Sequence, residues 1–107
     1  MEVPQIQIHD AKQKLDQKES VFVDIRDPAS YGQAHIPGAI HLHDGNVQEF
    51  VENTDKEKDI VVYCYHGNSS LGATGYFMEN GFKNAASMSG GFEAWRQVYE
   101  HESGESF

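Results

Sequence analysis

The chain has 107 residues, 38% hydrophobic and 23% charged, which predicts one compact domain over residues 1–107 with a real core. Seventeen acidic against eight basic residues give a formal net charge of −9, a surface that repels DNA, RNA and anionic lipid. No stretch nears the roughly 20 apolar residues that cross a bilayer, and MEVPQIQIHD has no secretory signal pattern; with its single cysteine, which can form no internal disulfide, the chain is expected in the reducing cytoplasm.

In chain order, QIQI (Gln5 to Ile8) reads as a brief edge strand, followed by a helix over DAKQKLDQK with Asp10 as N-cap. VFVDI (Val21 to Ile25) is β-branched and predicts a buried strand. Asp27 and Pro28 spell an N-cap and a proline at the first helical position, opening a short helix through Tyr31. HIPGAIHL runs through a Pro-Gly turn into a strand at Ala39 to Leu42. In NVQEFVEN, the apolar Val47, Phe50 and Val51 stand at helical spacing. DKEKD predicts a solvated turn, and DIVVYC (Asp59 to Cys64) is the most marked strand of the chain. A helix from about Ser69 to Asn80 follows, closed by Gly81 in the left-handed position. NAASM predicts a weaker strand and GGFEAWRQVYE a terminal helix. The tail HESGESF carries too little apolar surface to dock and is expected to fray.

Strands alternating with helices predict an α/β fold, a mostly parallel sheet with helices on both faces. Ligands bind such sheets outside the carboxyl ends of the strands, which is where Cys64 stands. It could be small apolar filler. The loop CYHGNSS argues for a nucleophile instead. Gly67 lets successive N–H groups turn toward one point, and the loop feeds a helix N-terminus, which favours negative charge. A lowered Cys64 pKa is therefore expected. Gly72 and Gly75 each cost about 1 kcal/mol relative to Ala in a helix interior, so they are expected to mark close approach of that helix to the sheet.

An amide nest on sulfur suits a thiolate, a phosphate bound for cysteinyl-phosphate, or a persulfide. A cysteine phosphatase reads His-Cys, five residues, then Arg, whose fork clamps the phosphate. Here Tyr63 precedes Cys64, Ser70 holds the Arg position, and no Arg or Lys occurs between Ile60 and Phe82. Phosphatase or arsenate-reductase chemistry is disfavoured.

Three stretches carry a family resemblance: VFVDIRDPASYGQAHIPGAIHL (Val21 to Leu42), VVYCYHGNSS (Val61 to Ser70) and SGGFEAW (Ser89 to Trp95). In that order and spacing, the chain resembles a single-domain rhodanese, a thiosulfate sulfurtransferase, of the GlpE type. The resemblance implies a rhodanese-like, five-stranded parallel sheet and an active-site loop of Cys64, Tyr65, His66, Gly67, Asn68 and Ser69. It implies double displacement without metal or other cofactor. Cys64 takes the sulfane sulfur of thiosulfate as a persulfide and passes it to cyanide or to a thiol acceptor such as thioredoxin. No nucleic-acid or membrane partner is implied, and the expected state is a monomer or weak dimer. Ser30 and Ala34 depart from the usual Glu and Gly of the first signature, for which a local packing effect is expected. The uncharged loop implies weak affinity for thiosulfate. It also leaves room for a persulfide carrier that turns over free thiosulfate poorly.

Asp24 and Arg26 read as a structural ion pair. His66 could tune the field at sulfur or face solvent, and Tyr65 could form an aromatic wall or sit exposed on the rim. His41 and His43 share a face but lack further ligands for a metal site. His35 is expected to make a structural hydrogen bond, and Phe92 and Trp95 to pack on the sheet.

Overall fold

The structure, a computed structural model, describes residues 2–103. In chain order its elements are β1 (Gln5–Ile6), α1 (Ile8–Gln17), β2 (Ser20–Asp24), α2 (Pro28–Gln33), β3 (Ile40–His41), α3 (Val47–Asn53), β4 (Asp59–Tyr63), α4 (Ser69–Glu79), β5 (Asn84–Met88) and α5 (Gly91–Trp95). The five strands form one sheet in the order β1-β5-β4-β2-β3, and every pairing is parallel.

Side chains alternate across a strand, so β4 supplies both cores. Val61, level with Phe22 on β2, and Tyr63 pack with Ala11 of α1 and with Phe92 and Trp95 of α5. Ile60 and Val62 face the other way, with Val23, Val51 of α3, and Phe77 and Phe82 at the end of α4. Each of the buried Val, Ile and Phe side chains contributes about 1.5–3 kcal/mol. With helices on both faces, the central strands can be apolar throughout, which is why DIVVY reads as an unbroken run.

Several boundaries follow from local chemistry. The Asp27 carboxylate accepts the Ser30 N–H at 3.1 Å and the Ser30 hydroxyl at 2.7 Å, capping α2, which extends past Tyr31 to Gln33. Ser30, one of the two departures noted above, thus works in the cap. Gly81 adopts φ +97°; its N–H donates to the Met78 carbonyl and that of Phe82 to the Phe77 carbonyl, both at 3.1 Å. This is the Schellman closure of a helix.

Other expectations need correction. β1 ends at Ile6, and α1 begins two residues before Asp10. Its N-cap is Gln7, without a side-chain cap bond, and Asp10 lies in the first turn, where a carboxylate still favours the helix dipole. The tail is docked in its first residues. Glu102 and His35 exchange backbone hydrogen bonds at 2.9 and 2.8 Å, and the Glu102 carboxylate accepts the Gly38 N–H at 3.0 Å. Backbone pairing needs no apolar surface, so a polar sequence does not keep the start of the tail from docking. The rest of that expectation, residues 104–107, lies outside the described residues.

Gly72 and Gly75 do not mark a close approach. A Cβ at Gly72 would meet nothing within 4 Å, and one at Gly75 would meet Val3 Cγ2 at 3.8 Å, ordinary contact. Among the described residues, no helix is long and apolar enough to cross a membrane.

Candidate active site

β4 is the middle strand, and Cys64 follows its last residue, 6% exposed. The chain then turns through residues 65–68 into α4. Gly67 has φ +98°, and its N–H donates to Cys64 Sγ at 3.1 Å. The Ser70 N–H, in the first turn of α4, donates to the same sulfur at 3.3 Å. The Ser70 hydroxyl lies 3.4 Å from Sγ and 2.7 Å from the hydroxyl of Ser87 on β5.

The loop is held from outside by the start of α5. Phe92 N–H donates to the Cys64 carbonyl and Glu93 N–H to the Tyr65 carbonyl, each at 2.9 Å. A peptide's C=O and N–H point in opposite directions. Drawing the Tyr65 carbonyl outward therefore turns the His66 N–H inward, and that N–H helps to lower the cysteine's pKa. This clamp depends on glycine. A Cβ at Gly91 would stand 2.4 Å from the Tyr65 oxygen and 2.7 Å from the Cys64 oxygen, so only a bare α-carbon fits. The close approach that sequence reasoning assigned to Gly72 and Gly75 occurs here.

Burial by itself would push the Cys64 thiol up. Hydrogen bonds from the Ser70 hydroxyl and from the Ser70, Gly67 and His66 N–H groups reverse this and hold it below its ordinary value. A thiolate is the nucleophilic form of cysteine, so the geometry favours a reactive sulfur.

Behind the loop lies a buried ion pair. Asp24, fully buried, accepts the Arg26 N–H at 2.8 Å and Nη2 at 2.7 Å. Burial would lower the Arg26 pKa, but the Asp24 carboxylate more than compensates and raises it. The guanidinium also donates to the Ala34 carbonyl at 2.6 Å and lies over the Phe92 ring, 4.3 Å from its centroid. Arg26 is thus a structural cation, committed before any ligand arrives.

Of the sequence-derived site residues, the structure brings the Gly67 and His66 backbone to the sulfur of Cys64. The Tyr65 and His66 rings lie side by side, 5.2 Å between centroids, with Tyr65 41% exposed on the rim. Asn68 is the N-cap of α4 without a side-chain cap bond, and Ser69 is its exposed first residue. Sequence reasoning missed the parts played by Ser70, Ser87 and Gly91. SGG was legible as a motif, but its contact with the loop spans some two dozen residues. Three histidines outside the loop are engaged. His35 Nδ1 bonds the Tyr31 carbonyl at 2.7 Å, His41 Nε2 the Arg26 carbonyl at 2.6 Å, and His43 Nδ1 accepts the Gly45 N–H at 3.0 Å. Phe92 and Trp95 are buried against the sheet.

Comparison with known proteins gives the same picture. Residues 7–98 match the family described as the Rhodanese-like domain. The rhodanese-like domain of an Anabaena sp. protein is 26% identical with a TM-score of 0.83, covering 94% of this chain and 79% of that one. A Bacillus halodurans protein is 27% identical with a TM-score of 0.78, covering 94% and 77%. A rhodanese-like domain protein from Staphylococcus aureus, at 23% identity, shares the fold with a TM-score of 0.81 over 95% and 99% of the two chains.

Proposed function

The chain belongs to the rhodanese-like domain family, and from that premise we propose that it is a sulfurtransferase working through a Cys64 persulfide. The observation that carries this reading is the convergence of backbone N–H groups and the Ser70 hydroxyl on one cysteine sulfur.

With thiosulfate as donor, a lone pair of the Cys64 thiolate attacks the outer, sulfane sulfur. A new S–S bond forms, the S–S bond of thiosulfate breaks, and sulfite leaves with that electron pair. The charge moves to the terminal sulfur of the persulfide, within the same field of amides. An acceptor nucleophile then attacks the terminal sulfur and Cys64 departs as thiolate. Cyanide becomes thiocyanate; a dithiol such as thioredoxin takes the sulfur as its own persulfide. Each half is an ordinary nucleophilic displacement.

One feature favours a second reading, a persulfide carrier with poor turnover of free thiosulfate. Arg26 is bonded to Asp24, and Arg96 on the rim is paired with Glu93 at 2.9 Å. Both guanidinium groups near the loop are already engaged, so a dianionic donor meets amides and no free fork. The absence of Arg from the loop likewise disfavours phosphatase chemistry.

Thiocyanate formation from thiosulfate and cyanide by the wild type and by Cys64→Ser tests the proposal. Activity in the wild type alone, with a gain of one sulfur atom on Cys64 by mass spectrometry, supports it. Turnover surviving in Cys64→Ser would overturn it. A wild type that accepts sulfur from a protein persulfide but not from thiosulfate would put the carrier reading first.

A further inference from the structure

Two hydroxyls sit behind the sulfur, on residues 17 apart in the chain, and the amide cradle does not account for the contact between them. Ser70 on α4 and Ser87 on β5 are both buried, at 0% and 1% exposure, and their oxygens are 2.7 Å apart. Ser70 Oγ is also 3.4 Å from Cys64 Sγ. We propose that Ser87 is a positioning residue for sulfur chemistry: it holds the Ser70 hydroxyl on Cys64 and supplies the hydrogen bond that frees Ser70 to donate to the ionised sulfur.

A hydroxyl has one proton and two lone pairs, so the direction of each bond in the row is constrained. With Cys64 protonated, S–H donates to Ser70 and Ser70 donates to Ser87. With Cys64 ionised, Ser87 donates to Ser70 and Ser70 donates to the thiolate. Two hydroxyl rotations reverse the row, and no heavy atom moves. Hydrogen bonds in such a row polarise one another, and bonds to a charge are the strong ones. The thiolate therefore gains more from the row than the thiol does.

Ser87 matters because Ser70 has an alternative. A serine side chain has three staggered rotamers, and those that turn the hydroxyl away from Sγ would leave the sulfur without it. The bond to Ser87 keeps it in place. Ser87 is itself fixed by the sheet: it is level with Val62 on β4 and Gln5 on β1, and its N–H donates to the Pro4 carbonyl at 2.9 Å. β5 carries no charged side chain, nor does α4 before Glu79. The ionisable groups around the loop are Tyr65 and His66 within it, Tyr63 before it, Glu93 and Arg96 on the α5 side, and the Asp24–Arg26 pair. Neither serine substitution alters them.

This inference rests on the reading of Cys64 as the reactive sulfur, but its test needs no turnover. The Cys64 pKa is measured from the pH dependence of iodoacetamide alkylation in the folded wild type, Ser70→Ala, Ser87→Ala, the double variant and Ser87→Thr. Losing a hydrogen bond to a charged group is expected to raise the pKa by about one unit in Ser70→Ala. Ser87→Ala should shift it upward by a smaller amount, and the double variant should match Ser70→Ala, since both act through one hydroxyl. Ser87→Thr, which keeps the hydroxyl, should restore the wild-type value. An unchanged pKa in Ser87→Ala, or shifts that add in the double variant, would overturn the proposal. Should Ser87→Ala not fold, an unchanged pKa in Ser70→Ala overturns it equally. Failure of sulfur transfer with these shifts intact would count against the proposed function and leave this inference standing.

Discussion

A methyl group on Gly91 would stand 2.4 Å from the Tyr65 carbonyl oxygen and 2.6 Å from its carbon. Both are backbone atoms, so no side chain can turn aside to make room. The residue also has φ +61°, a region side chains other than glycine's enter at a cost. Gly91→Ala should therefore destabilise the protein by about 3 kcal/mol and push the loop off the sulfur. Gly38 is the internal comparison: φ is +79° there, but nothing lies within 4 Å. Gly38→Ala bears the backbone cost alone, about 1 kcal/mol. Urea unfolding of both variants checks this, and a Gly91→Ala no worse than Gly38→Ala would refute the clamp. The sulfur gives a second expectation at this scale. Its pKa is lower folded than unfolded, so the unfolded chain binds the proton over a higher pH range. Stability from this group is complete above the unfolded value, about 8.5, and is lost as pH falls through the folded value. Half-maximal alkylation should occur at lower pH in the native protein than in urea. Coincident profiles would show that the cradle does not act on the thiol.

At the scale of elements, α4 carries a change that should help. Gly72 has no positive φ and nothing near its missing Cβ. Gly72→Ala removes conformational freedom from the unfolded chain without a clash, so it should stabilise by about 0.5–1 kcal/mol and raise the melting temperature by a few degrees. A lower melting temperature would mean that α4 does need the glycine. The misreading of Gly72 shows where sequence stops. A glycine inside a helix signals that something is unusual, but not which neighbour requires it. Patterns contained within one element were legible: the apolar run of β4, the Asp27-Pro28 start of α2, the Gly81 end of α4, and a cysteine between strand and helix. The Asp10 cap was plausible chemistry at a position the backbone does not use, because α1 begins at Ile8. The Ser70–Ser87 contact, the Gly91 clamp and the His35–Glu102 bridge each join distant segments. Nothing in the local pattern announces them; the resemblance named the SGG motif without saying what it touches.

Over the whole molecule, Arg26 ties the carboxyl end of the sheet together. Its guanidinium bonds Asp24 at the end of β2 and the Ala34 carbonyl after α2, and it lies over Phe92 of α5. Its own carbonyl bonds His41 at the end of β3. Four segments that meet at the candidate active site thus share one residue. Removing the cation leaves Asp24 buried and unpaired, and breaking a buried pair from one side costs about 3–5 kcal/mol. Domains of this size have roughly 5–15 kcal/mol in all, so Arg26→Ala should unfold at much lower denaturant and lose sulfur transfer with the fold. Arg26→Lys should fall between the two, because an ammonium cannot reproduce the planar fork that reaches Asp24 and Ala34 together. Asp24→Asn in the Arg26→Ala background should recover part of the loss by removing the stranded charge. Denaturant midpoints for the four proteins order these effects. If Arg26→Ala lies within about 1 kcal/mol of wild type, the value of an exposed pair, the pair does not hold this end of the sheet. The amide cradle would then rest on the glycine contact of α5 alone.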